Sequence, residues 1–162
     1  MKIKKRTRII GIVALIAAAA TMVLAKAHMP DPEAAPFWTY ISETDPYTQW
    51  DMWPGKEGVY EGQSPHGAYL KLYINDTALN ALKENKPMPD GAIIVKENYG
   101  KDKEQLMAVT PMYRKKGYNP DAGDWFWAKY GPQGKVMTAG KVKGCIDCHR
   151  AQETWLFTET SE

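Results

Sequence analysis

From His66 onward the chain alternates. In "HGAYLKLYIN", Leu70, Leu72 and Ile74 fall on one side and Tyr69, Lys71 and Tyr73 on the other, the period of two that predicts a strand. Asn75 or Asp76 then offers a helix cap, and Ala78, Leu79, Ala81 and Leu82 recur at helical spacing through about Lys86, where "KPMPDG" stops the helix with two prolines and a glycine. Four more strands are predicted: "AIIVKENY", "EQLMAVTPMYR", "DWFWAKY" after the loop "KKGYNPDAG", and "GKVMTAG" after the turn "GPQG". Residues 28–65 are rich in Pro, Gly, Asp and Trp and hold no sustained period. They predict a short helix or turns around Phe37–Ile41, then irregular chain. The pattern as a whole predicts an α+β fold, mainly an antiparallel β meander with one crossing helix and a C-terminal segment that carries both cysteines. Gly and Pro interrupt every window in which a helical bundle would need its third or fourth long helix.

The N-terminus follows a different pattern. "MKIKKRTR" is basic, Ile9 to Ala25 is apolar, and Ala25-Lys26-Ala27 offers small residues for cleavage, the layout of a secretory signal peptide over residues 1–27. An uncleaved membrane anchor is the other reading, since the apolar run reaches the lower edge of spanning length. Either way the single domain, residues 28–162, is expected outside the cytoplasm, in the periplasm. Removing residues 1–27 takes six of the 21 basic residues and none of the 19 acidic ones, which leaves 15 against 19 and a net charge of −4 with His neutral. The formal +2 of the whole chain therefore belongs to its targeting segment. No nucleic-acid footprint remains, and a mildly acidic surface suits a basic protein partner.

The only two cysteines stand in "KGCIDCHR". Cys145, Cys148 and His149 form C-x-x-C-H, in which two thiols can add to the two vinyl groups of haem while the adjacent imidazole becomes the proximal iron ligand. One helical turn sets both sulfurs along a porphyrin edge. A structural zinc site would want four ligands, and beyond the triplet the chain offers only His28 and His66 as further histidines. A redox dithiol would open a helix in a βαβ setting, and no parallel pattern is present. A plain disulfide leaves His149 without a role. One covalently attached haem c is the expectation, and export supplies the compartment where such attachment occurs.

The segments "PHGAYLKLYIN", "PMPDGAIIVKENY", "VTPMYRKKGYNPDAGDWFWAKY" and the late "GCIDCH" occur in the order seen in the cytochrome P-460 family, which includes the beta-type cytochromes c-prime. The resemblance runs over roughly residues 50–155. It implies a small antiparallel sheet carrying one haem, a homodimer, and one of two functions. Some members oxidise hydroxylamine, carry a lysine cross-linked to the haem and pass electrons to a partner cytochrome. Others keep an ordinary haem c and bind nitric oxide or similar gases without being enzymes.

Several residues bear on that choice. The resemblance places the cross-linking lysine at Lys71, although Tyr-Lys-Tyr on one side of a strand is equally the solvated face of any half-buried sheet. Glu97 shares an apolar stripe with Ile93, Val95 and Tyr99. Burial would raise its pKa and fit it to accept protons, and the resemblance gives a carboxylate at this position that task above the haem. His66 is readable as a sixth ligand, a distal base or a turn residue. Met88, Met107, Met112 and Met137 invite Met/His ligation, with core packing as the default for each. Trp125 and Trp127 share a strand face opposite Phe126, which places them in a core with room for one beside the haem.

Overall fold

A computed structural model describes residues 28–157; the predicted signal segment lies outside the described residues. The expected meander is present. The elements are α1 (Ala34–Thr39), β1 (Asp51–Met52), β2 (Tyr60–Glu61), β3 (Tyr69–Ile74), α2 (Asp76–Lys83), β4 (Ile93–Tyr99), β5 (Leu106–Arg114), β6 (Trp125–Tyr130), β7 (Val136–Gly140) and α3 (Lys143–His149). They build one seven-stranded sheet of order β1-β3-β4-β5-β6-β7, with β2 also pairing with β3. Every pairing is antiparallel.

The helix α2 crosses as the sequence predicts, and Asn75 is its cap: its side chain accepts from the Ala78 N–H and the Ile93 N–H and donates to the Gly91 carbonyl. One buried amide thus closes the helix start and ties it to β4. The segment expected to be irregular contributes more than foreseen. Helix α1 runs into a π-helical turn at Tyr40–Thr44, and β1 and β2 lengthen the sheet beyond β3. Two-residue strands carry too few positions to display a period, which is why the pattern does not announce them.

Both faces of the sheet are buried. One core gathers Leu72, Ile74, Ile94, Met112, Trp125 and Trp127 with α2. The other gathers Tyr73, Ile93, Val95, Val109, Tyr113 and Phe126 with α1 and its π turn. Strand alternation deals the residues of each strand between the two. Trp125 and Trp127 do share a face, with Phe126 on the other, stacked edge-on against Phe37 at 5.4 Å between centroids. At 25 cal/mol per Å², each fully buried aromatic of this kind contributes on the order of 2–3 kcal/mol before entropy is charged against it.

Candidate haem cavity

The helix α3 places its motif against the first of these cores. Ile146 is buried, Cys145 half-buried and Cys148 exposed, so a single helical turn lays the two thiols along the edge of an open cavity of about 700 Å³, within the range of about 300–1,000 Å³ that suits a cofactor. Leu72, Ile94, Met112 and Trp127 supply its apolar wall, and Leu156 and Phe157, beyond α3, line it as well.

His149 is buried, and its Nδ1 lies 2.7 Å from the carbonyl oxygen of Trp155. A carbonyl only accepts, so Nδ1 carries the proton and Nε2 keeps a bare lone pair, the arrangement that orients a metal-ligating imidazole. Burial, followed by the charge of Lys96, pulls its pKa down against the raising effect of the Trp155 carbonyl, which keeps the ring neutral. The return of the chain that delivers this carbonyl depends on Gly123. Its φ is +65°, and a Cβ there would sit 2.6 Å from Trp155 Nε1, so only glycine lets the Trp155 indole lie on the β5–β6 loop. The His149 ring is packed at 4.5 Å from Trp127 and 5.1 Å from Phe157 between centroids.

These residues fit a haem. The wall is apolar, two thiols and one fixed imidazole stand at its edge, and Trp127 holds a buried Nε1–H that has no partner among the described residues, a donor that a bound group with acceptor atoms would satisfy. They fit the rival chemistries less well. Burial, then the neighbouring Cys148, raises the Cys145 pKa, whereas a reactive dithiol wants it lowered. Among the described residues no cluster of three or more His, Cys, Asp or Glu assembles, so a four-ligand zinc centre lacks its ligand set.

Lys71 and Glu97 are not in this cavity. They are direct partners across β3 and β4, on the face whose neighbours Tyr73, Ile93 and Val95 belong to the opposite core. The cavity is lined by their neighbours Leu72, Lys96 and Asn98. Glu97 instead accepts hydrogen bonds from Tyr47 at 2.9 Å, Tyr73 at 3.3 Å and Tyr99 at 2.6 Å, and the Lys71 amine lies 5.4 Å from the Tyr99 ring centroid. Strand parity thus sets Leu72, Lys96 and Asn98 rather than Lys71 and Glu97 along the cavity wall. Core packing as the default for the methionines holds for Met88 and Met112, which are buried, but Met107 and Met137 are 53% and 57% exposed and line the cavity mouth.

His66 does line the cavity, together with Lys96, Asn98 and Thr110. Lys96 and Asn98 are the side chains that inspection of the strand for an ionisable group on an apolar stripe passes over, since Glu97 meets that description better. The alternation that puts Lys96 on the face of Ile94 and Asn98 was the available signal.

The family model described as Cytochrome P460 matches residues 45–158, which takes in the whole sheet and the C-x-x-C-H helix. No curated protein matches the chain.

Proposed function

The chain belongs to the cytochrome P460 family, whose members bind haem, and from that premise we propose that it is an exported monohaem c-type cytochrome that takes a small nitrogen ligand at its iron and exchanges electrons with a partner cytochrome. Cys145 and Cys148 hold the haem through thioether bonds, and Nε2 of His149 is the iron's ligand from the protein. When bound, the haem supplies the iron site and the electron that is stored or passed on. The chain's own residues do the rest. The Trp155 carbonyl fixes the His149 tautomer, Trp127 and Phe157 hold the ring's tilt, and the apolar wall excludes water.

Hydroxylamine oxidation through Lys71 and Glu97 required both residues above the haem. The single observation that carries the present reading is the sheet register, which pairs Leu72 with Lys96 on the cavity side and Lys71 with Glu97 on the other. It supports an ordinary haem c with Lys71 free. Protein matured in a host competent for c-type attachment is expected to keep its colour through denaturation and acid-acetone extraction, and Lys71→Ala is expected to leave the ferrous absorption spectrum unchanged. A wild-type ferrous Soret band far to the red that Lys71→Ala returns to the ordinary position would overturn the assignment.

A further inference from the structure

The histidine of the C-x-x-C-H helix stands at one end of a line of tryptophans. His149 packs on Trp127 at 4.5 Å between ring centroids, and Trp127 lies 6.3 Å from Trp125, two positions earlier on the same face of β6. The line continues to Trp155. A Cβ built on Gly123 would meet the Trp155 indole at 2.6 Å and the Trp125 indole at 3.1 Å, so the two rings converge on one point of the loop between β5 and β6. Trp127 and Trp125 are buried in the first core, whereas Trp155 packs against that core half-buried and reaches the surface.

Packing a core asks only for apolar volume, which phenylalanine supplies as well. Indole adds a second property: it gives up an electron far more readily than a phenyl ring. Electron tunnelling between rings falls off steeply with distance, so the short steps from His149 to Trp127, Trp125 and Trp155 are fast ones. A positive charge costs most where it is buried and least where water reaches it, which draws an oxidising equivalent outward along the line. The far face of the sheet offers a comparison. Trp38 is half-buried too, but it packs on Tyr130 at 4.8 Å in the second core, and its aromatic contacts do not lead to His149.

We propose that Trp127, Trp125 and Trp155 form a relay that discharges the haem to the surface when hydrogen peroxide reacts at the iron, and that Trp155 is the residue modified. The proposal rests on the haem reading above and adds a function which that reading does not contain. Each peroxide takes up two electrons and two protons and leaves as two waters. One electron comes from the ferric haem and one from Trp127, which Trp125 refills and Trp155 refills in turn, so that Trp155 loses the electron and gives its Nε1 proton to water. A second electron follows from Trp155 along the same line and returns the haem to the ferric state. Water then adds its oxygen to the oxidised indole and releases a proton. The sum is one peroxide and one indole giving one hydroxylated indole and one water.

The test mixes ferric holoprotein with equimolar hydrogen peroxide and maps its peptides by tandem mass spectrometry for tryptophan that has gained one oxygen. Wild type is expected to carry severalfold more of this product on Trp155 than on Trp38, although both indoles are half-buried. Trp125→Phe keeps an aromatic ring in the core and removes the oxidisable link. It is expected to cut Trp155 oxidation severalfold and to speed the bleaching of the haem absorption band, and Trp125→Tyr, whose ring can be oxidised, is expected to recover part of both. Trp38 oxidised as much as Trp155 in wild type, a comparison that needs no variant, or unchanged Trp155 oxidation in folded, haem-bearing Trp125→Phe would overturn the relay while leaving the haem assignment standing. Wild-type protein without covalent haem overturns the haem assignment itself, and the relay with it.

Discussion

Glu97 is 6% exposed and no ion pair reaches it among the described residues. Three tyrosine hydroxyls take the place of a cation, and the cost of burying the carboxylate is offset by charge-assisted hydrogen bonds. Replacing it with leucine orphans three buried hydroxyls, at about 1–3 kcal/mol each where they cannot reach water. Glu97→Leu is accordingly expected to lose on the order of 3 kcal/mol or more by urea denaturation, and Glu97→Gln about half as much, with ligand affinity at the cavity unchanged. The same cluster gives an alkaline limit. Burial, then the Glu97 charge, raises the Tyr73 pKa to about 12, and Tyr47 and Tyr99 are raised further, Tyr99 chiefly by burial and by its bond to Glu97. Between the ordinary tyrosine value near pH 10 and pH 12 the native state holds protons that the unfolded chain has lost, so stability is present below about pH 10 and falls as pH rises through that window. Equilibrium unfolding of wild type and Tyr73→Phe from pH 8 to 12 measures it, and the variant is expected to show the shallower decline. At this scale the C-x-x-C-H triplet was legible because its chemistry is written in adjacent residues. The oddness of Glu97 was legible too, but not its partners, since Tyr47 comes from a turn 50 residues away.

Among the elements, the strands and α2 could be read from period alone, whereas the choice of haem-facing side could not. In β4 the run Ile93, Ile94, Val95 is buried on both faces, so alternation assigns residues to two faces without saying which one meets α3. That is decided by long-range facts, above all the pairing of Met112 with Trp127 and the seating of His149 on that tryptophan. The loop before β3 is likewise fixed by a contact no local pattern reveals. Gly67→Ala sets a methyl against the Tyr99 backbone and is expected to cost about 1–3 kcal/mol. It should also loosen the hold of Asn98 Oδ1 on His66 Nδ1, which lie 3.2 Å apart. Chemical denaturation checks the first effect, and the loss of a single sharp His66 15N signal checks the second.

At the scale of the whole molecule, an acidic exported domain follows from the proposed removal of residues 1–27. The intact mass of the secreted form is expected to begin near His28. Electron transfer with a basic partner cytochrome is expected to slow as ionic strength rises through about 0.15 M, where the screening length falls to about 8 Å. Stopped-flow measurements over a salt series would show it, and a rate independent of salt would point to an uncharged docking face.

In the proposed holoprotein one haem is bonded to α3 and to nothing on the far face of the sheet. Peptide mapping of the matured holoprotein by tandem mass spectrometry tests this directly. The predicted result is a single haem mass on the peptide that contains Cys145, Cys148 and His149, and an unmodified peptide around Lys71. A haem mass bridging to the Lys71 peptide, or a Cys145–Cys148 peptide without haem, would contradict it.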